Sequence, residues 1–96
     1  MAARFAWDER KNQANRRKHH IGFETAVLVF DDPNAIALQD RDVGLEQRWQ
    51  MIGWAQTSII VVAHTIGLGN GTEVIRIISA RKATPSERRL YEEETD

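Results

Sequence analysis

The sequence predicts a small α+β domain with a local anion-binding corner, and three stretches carry that expectation. Residues 73–80, EVIRIISA, are dense in β-branched side chains (Val74, Ile75, Ile77 and Ile78), which suit a strand buried on both faces. Residues 84–87, TPSE, follow the capping-box pattern with proline at the first helical position. The Thr84 oxygen is placed to accept from the Glu87 amide, the Glu87 carboxylate to reach back, and Pro85 forfeits no useful donor. Phe23, Ala26, Val27 and Phe30 fall at i, i+3, i+4 and i+7, the clearest helical apolar face in the chain. Between strand and capping box lie Arg81 and Lys82, two cations beside a helix N-terminus and so an anion site in outline.

Composition sets the bounds. The 96 residues are expected to form one domain, 1–96, around one core. At 42% hydrophobic and 28% charged, the chain has the make-up of a soluble globular protein. Its longest apolar run, residues 59–63, is too short to cross a bilayer, and the N-terminus has no signal-peptide segment, so neither a membrane partner nor export is expected. Without cysteine there are no disulfides and no thiolate-bound zinc, which suits a cytoplasmic protein. The net charge of −1 conceals an asymmetry. Residues 1–22 carry six cations and two anions, net +4; residues 23–56 carry two and six, net −4; the remainder carry five and six, net −1. Any phosphate contact must therefore come from a local patch rather than a uniformly basic surface.

Taken in order, Arg4 to Trp7 is a short extended segment, and Asp8 is an N-cap with Trp7 stapled over the first turn. The helix that follows, Glu9 to His19, has Ala14 as its only hydrophobic residue. Its Asn12, Asn15, Arg16 and His19 share one side, read as a solvated face or as one turned toward RNA or a partner protein. Phe23 to Phe30 reads as a two-turn helix packed on a sheet, although AVLVF alone would also suit a strand, and Asp31-Asp32-Pro33-Asn34 ends it. Ala35 to Gln39 is a short strand. Glu46 to Trp54 is a strand with neither face cleanly apolar: Arg48, Gln50, Ile52 and Trp54 on one side, Gln47, Trp49, Met51 and Gly53 on the other. Aromatics and cations interleaved in this way suit stacking on bases as well as packing. Ser58 to Thr65 is the central strand, and a loose turn through Gly67, Gly69 and Asn70-Gly71 leads to the strand at 73–80. In the final helix Arg88 and Arg89 sit at the positive end and Glu92 to Glu94 at the negative end, against the dipole, which fits either something outside the helix using those charges or simple fraying of the tail.

No metal-ligand spacing and no phosphate-binding glycine loop is present, so neither cofactor nor metal is expected. What remains is cations, histidines and carboxylates near strand ends. RNA can be cut without metal when a base takes the 2′-hydroxyl proton, cations meet the charge growing on the phosphate, and a donor protonates the leaving oxygen. Arg76, Arg81 and Arg48 suit the charge role, His64 that of acid or base, and Glu46 that of base or of a group orienting Arg48. The plainer alternatives are structural ion pairs for the arginines, with Glu46 or Glu87, and a packed core position for His64.

The blocks IRIISARKAT and ERR.YEE, with FAWDERK near the start, N..KH at 15–19 and E.R...IG at 46–53, resemble the BrnT toxins, which belong to the RelE-like ribonuclease toxins of type II toxin–antitoxin systems. The likeness runs from Phe5 to Glu93, and IRIISARKAT is its most specific part. The chain departs from its relatives at His20 and Gly22, where they have Gly as a C-cap and Ser as an N-cap. Histidine tolerates positive φ and glycine is an acceptable N-cap, so the joint should survive at a cost on the order of 1 kcal/mol. The resemblance implies a RelE-like arrangement: two N-terminal helices, a four-stranded, mainly antiparallel sheet, and a C-terminal helix across it. It implies a metal-independent endoribonuclease that inhibits translation, neutralised by a BrnA-type DNA-binding antitoxin through which alone DNA is met. Lys18 and His19 match the N..KH element, Tyr91 the position of a base-stacking tyrosine, the plainer reading being an anchor on the inner face of the last helix, and Lys82 and Arg88 complete the expected RNA contacts. The alternative is a non-catalytic module that binds nucleic acid or protein through the same cations.

Overall fold

Two buried asparagines, rather than an apolar stripe, seat the first helix on the sheet. A computed structural model of the chain describes residues 3–40 and 47–94. Its elements run β1 (Arg4–Ala6), α1 (Glu9–His19), α2 (Phe23–Ala26) continuing as a 3-10 turn (Val27–Asp31), β2 (Ile36–Gln39), β3 (Arg48–Ala55), β4 (Ser58–Gly69), β5 (Thr72–Lys82) and α3 (Pro85–Glu94). The strand order is β1-β5-β4-β3-β2, antiparallel throughout except that β1 lies parallel to β5. Among the described residues no helix is long and apolar enough to cross a membrane.

The architecture is α+β with a C-terminal helix, but the expected four-stranded, mainly antiparallel sheet behind two N-terminal helices is incorrect. The sheet has five strands and is mixed. The extra strand is Arg4–Ala6, too short to show periodicity and paired with residues 74–76 far along the chain. Phe5 anchors it against Phe30, with ring centroids 5.2 Å apart. The expected second helix is a single α-turn that tightens into a 3-10 turn. With three residues per turn, Ala26, Val29 and Asp32 come into one row, so Val29 rather than Val27 is fully buried.

One face of the sheet packs under α1, α2 and the 3-10 turn: Phe23, Ala26 and Val29 lie against Ile60, Val62, Ile77 and Ala80. The other face is covered only in part, where Tyr91 and Leu90 of α3 meet Ile52, Ile59 and Val61. Asp32 ties the two layers at the sheet edge. One of its carboxylate oxygens accepts from the Trp54 amide at 2.9 Å and from the Tyr91 hydroxyl at 2.7 Å. Burial pushes this carboxyl up, but the bonds from Trp54, Tyr91 and Asn34 outweigh that and hold it below its ordinary value.

Several local signals stand as the residues imply. The Asp8 side chain caps α1 at the Arg10 amide (2.8 Å), and Thr84 and Glu87 exchange both capping-box bonds (3.2 and 2.9 Å). His20 takes the left-handed C-cap conformation (φ 62). The β4–β5 turn is tighter than expected: β4 runs on to Gly69, and Asn70-Gly71 alone reverses the chain with positive φ at both residues.

α1 does not present Asn12 and Asn15 to solvent or to RNA; both are buried. The Asn12 carbonyl accepts the Phe23 amide at 2.8 Å, so a side chain from α1 caps α2 where Gly22 has none to offer. The Asn12 amide donates to the carboxylates of Glu9 and Glu24. Asn15 acts on β5, whose outer edge β1 pairs only at residues 74–76. Its amide donates to the Ala80 and Ile21 carbonyls, each at 2.8 Å, and its carbonyl accepts the Ala80 amide at 3.2 Å. One side chain thus stands in for a strand at an otherwise open edge.

Replacing Asn15 should orphan the Ala80 amide and two carbonyls. Asn15→Ala is expected to destabilise by at least about 2 kcal/mol, since each unsatisfied buried group costs about 1–3, a fall of roughly 8–16 °C in Tm for a domain of this size. Gln13→Ala, an exposed neighbour on the same helix, should stay within about 0.5 kcal/mol. Equal Tm values for the two variants in thermal unfolding would show that the edge contact is dispensable.

Candidate functional site

The part of the sheet that α3 leaves uncovered is polar and cationic because of register. Arg48 pairs with Thr65, and Thr65 with Arg76, so three neighbouring strands place two arginines on either side of a threonine hydroxyl. Two strand spacings separate the arginines, about 10 Å. The adjoining row, Gln50, Ala63 and Ser79, is small and polar, and Arg4 pairs with Val74 beyond Arg76. Arg76 is exposed, so the expectation of a strand buried on both faces does not hold: Ile75 and Ile77 face the core, and Arg76 faces out. A depression of about 580 Å³ opens beside it, lined by Thr65, Gly67, Val74 and the apolar hairpin arm, where Leu68 is 82% exposed.

A bulge between Ala63 and His64 resets the strand phase, and the hairpin register separates His64 from Arg76: His64 pairs with Ile77, and Thr65 with Arg76. His64 therefore lies on the helix-covered face, 1% exposed, its ring edge-on to Phe30 at 5.0 Å. Burial pushes its imidazole down, opposed by the Nδ1–H bond to the Val62 carbonyl at 3.1 Å. A nucleic acid on the open face cannot touch it.

The second group of cations is assembled by the Asn15 contact. Docking α1 along the free edge of β5 puts Lys18, His19 and His20 around a depression with Arg81, Lys82 and Thr84. Lys11, Lys18 and His19 border a second one with Ile78 and Ser79. The N..KH element thus meets the ARK element in space, and Ser79 links both to the Arg76 row. Arg81 lies roughly 15 Å along β5 from Arg76. Its two terminal nitrogens donate to Glu87 at 2.7 and 2.9 Å. The paired guanidinium, with the Thr84 amide, draws the Glu87 carboxyl down to about 2, and the same bond raises Arg81 above its ordinary value. With its fork engaged, Arg81 fixes the strand–helix corner and adds charge, but presents no free bidentate face.

Two other expected contacts sit elsewhere. Tyr91 is 4% exposed, and burial with its bond to Asp32 pushes its hydroxyl to about 12, so it anchors α3 instead of stacking on a base. Arg88 lies on the outer side of α3, beside Trp54 and Lys82. Glu46 falls outside the described residues. Among the described residues no three His, Asp or Glu side chains converge where a metal ion could sit. Thr65, Ser79 and Lys11 were not singled out from the sequence; only the hairpin register and the docking of α1 reveal them.

Residues 7–87 match the family described as "Ribonuclease toxin, BrnT, of type II toxin-antitoxin system". No curated protein matches the chain.

The Arg81–Glu87 pair yields a pH-dependent expectation. Because the folded-state carboxyl lies below its ordinary value of 4.5, the pair contributes stability above that pH and loses it as the pH falls toward about 2. Glu87→Gln keeps a side chain able to close the capping box and removes only the charge. Its Tm should lie below the wild-type Tm at pH 7, and the gap should close between pH 4.5 and 2. A gap that does not change with pH would show that the charge contributes nothing.

Proposed function

The chain belongs to the BrnT family, the ribonuclease toxins of type II toxin–antitoxin systems, and from that premise we propose that its open sheet face cuts RNA by metal-independent attack of the 2′-hydroxyl on the adjacent phosphate. An antitoxin partner and an RNA substrate come with the family. The observation that carries the mechanism is the Arg48–Thr65–Arg76 row, two arginines about a threonine on the sheet face beyond α3, with Arg76 exposed and Arg48 and Thr65 half-buried. Arginine forks meet the charge that grows on the phosphate, and Thr65 supplies a further hydrogen bond. His19, half-buried at the β5 edge beside Lys18 and Ser79, takes the acid–base role that His64 is too buried to play. Lys18 and Lys82 hold flanking phosphates. In this reading the toxin acts in the cytoplasm on RNA needed for translation, as RelE-like ribonucleases do. A BrnA-type antitoxin covers the cationic face and the apolar arm at Ile66 and Leu68, and DNA is met only through that antitoxin.

Purified protein incubated with single-stranded RNA in EDTA should release products ending in 2′,3′-cyclic phosphate or 3′-phosphate. Strict dependence on magnesium, or 3′-hydroxyl ends, would overturn the mechanism. Protection of RNA in proportion to added protein, with no turnover, would make the chain a binder.

Arg76→Ala should lower turnover by about 10²–10³, the usual effect of removing one oxyanion donor, and His19→Ala by about 10²–10⁴. Arg76 is exposed, so the Tm of Arg76→Ala should stay near wild type. Full activity in both variants would move the site off this face.

A further inference from the structure

Trp54 is the one tryptophan among the described residues that stands largely in the open. It is 46% exposed, whereas Trp7 packs edge-on against Phe23 at 6.1 Å and Trp49 is half-buried. It lies on the α3 side of the sheet, paired with Ile59, at the end opposite the hairpin arm. Beside it runs a groove of about 330 Å³, with Ile59 and Ala83 as apolar lining, the Ser58 hydroxyl, and Lys82, Arg88 and Glu92 around it. That volume is at the low end for small-ligand sites. At this strand end the indole leaves part of its π-face to the groove and to water.

We infer that this groove is a nucleobase-stacking subsite for an unpaired base of the RNA, held between the Trp54 indole and the cations Lys82 and Arg88. The inference rests on the RNA-cleavage reading above and adds a substrate contact to it. Three observations favour a base over another ligand. The indole offers a π-face with cations on the same groove, the combination that single-stranded nucleic-acid sites use. The groove is continuous with the phosphate patch, because Lys82 borders both it and the depression of Lys18, His19 and Arg81. The platform is also rigid: Asp32 holds the Trp54 amide at 2.9 Å and, through the Tyr91 hydroxyl at 2.7 Å, the helix that forms the other wall. A strand of RNA passing from the Arg48–Thr65–Arg76 row over Lys82 reaches Trp54 about 20 Å away, several nucleotides from the bond that is cut. Charges of both signs, Lys82, Arg88 and Glu92, line the groove beside apolar Ile59 and Ala83, a mixed lining that suits a base better than a phosphate. The requirement for an unpaired base makes single-stranded RNA the preferred substrate.

The test is binding of a 2′-O-methyl single-stranded oligonucleotide, which cannot be cut by 2′-hydroxyl attack, to the full chain and to Trp54→Leu and Trp54→Phe. Leucine preserves apolar volume and removes the π-face; phenylalanine keeps a smaller one. Trp54→Leu should weaken Kd by about tenfold or more, the equivalent of one stacked base, and Trp54→Phe should recover most of it. Single abasic substitutions along the oligonucleotide should weaken wild-type binding most at one position, and that dependence should vanish in Trp54→Leu. Wild-type protein that cleaves RNA while Trp54→Leu binds with unchanged Kd would overturn the groove and leave the cleavage reading standing. Wild-type protein that neither binds nor cuts RNA would overturn both. Unchanged RNA binding with weakened antitoxin binding in Trp54→Leu would assign the groove to the partner protein instead.

Discussion

The amide of Asn15, bonded both to and from the backbone of Ala80, decides where the cations of this protein lie. β1 pairs with β5 only at residues 74–76, so the rest of that edge would expose backbone donors and acceptors to water or to another chain. α1 closes the edge with a side chain rather than a strand. It has no apolar stripe to bury, and its attachment relies on Asn12 and Asn15 being fully satisfied inside a low-dielectric joint, where unpaired amides would be costly. Every cation of the α1 side takes its position from that joint. Lys18 and His19 reach the Arg81–Lys82 exit only because Asn15 is fixed to the residue just before it.

A second node works at the opposite edge. Asp32, brought into line with Ala26 and Val29 by the 3-10 turn, holds both the end of β3 and the tyrosine of α3. It therefore limits how much of the sheet α3 can cover. The helix shields Ile52, Ile59 and Val61 and stops, leaving the Arg48–Thr65–Arg76 row open. Two nearby carboxylates are engaged off this row, Asp32 with Trp54 and Tyr91 and Glu87 with Arg81, while Asp40 accepts from Gln50 at 3.2 Å at its edge. A chain of net charge −1 thus presents a cationic surface without being basic overall.

Local chemistry was legible in the sequence. The Asp8 cap, the Thr84–Glu87 box, the left-handed His20 and the side-to-side alternation of β3 depend on neighbours a few residues apart. The illegible features are those decided by distant residues. A three-residue strand carries no period, and buried asparagines look in sequence like solvated ones until their backbone partners are known. Arg76 is exposed and His64 takes the packed core position that was its plainer alternative, because a bulge and a hairpin register set their faces. Tyr91 was placed correctly on the inner side of α3, but its partner, Asp32, could not be named from spacing. The candidate site was therefore legible as a set of residue types, with Arg48, Arg76, Lys18 and His19 among them, and illegible as an arrangement.

The central claim is that RNA lies on the face built by β3, β4, β5 and the lysine side of α1. An NMR titration of the labelled full chain with a 2′-O-methyl single-stranded RNA reads this directly. The account predicts shifts concentrated at Arg48, Thr65, Arg76, Ser79, Lys18 and His19, with the 3-10 turn at Val27–Asp31 silent. Shifts confined to the α2 and 3-10 surface, or none at concentrations where RNA is cut, would contradict it.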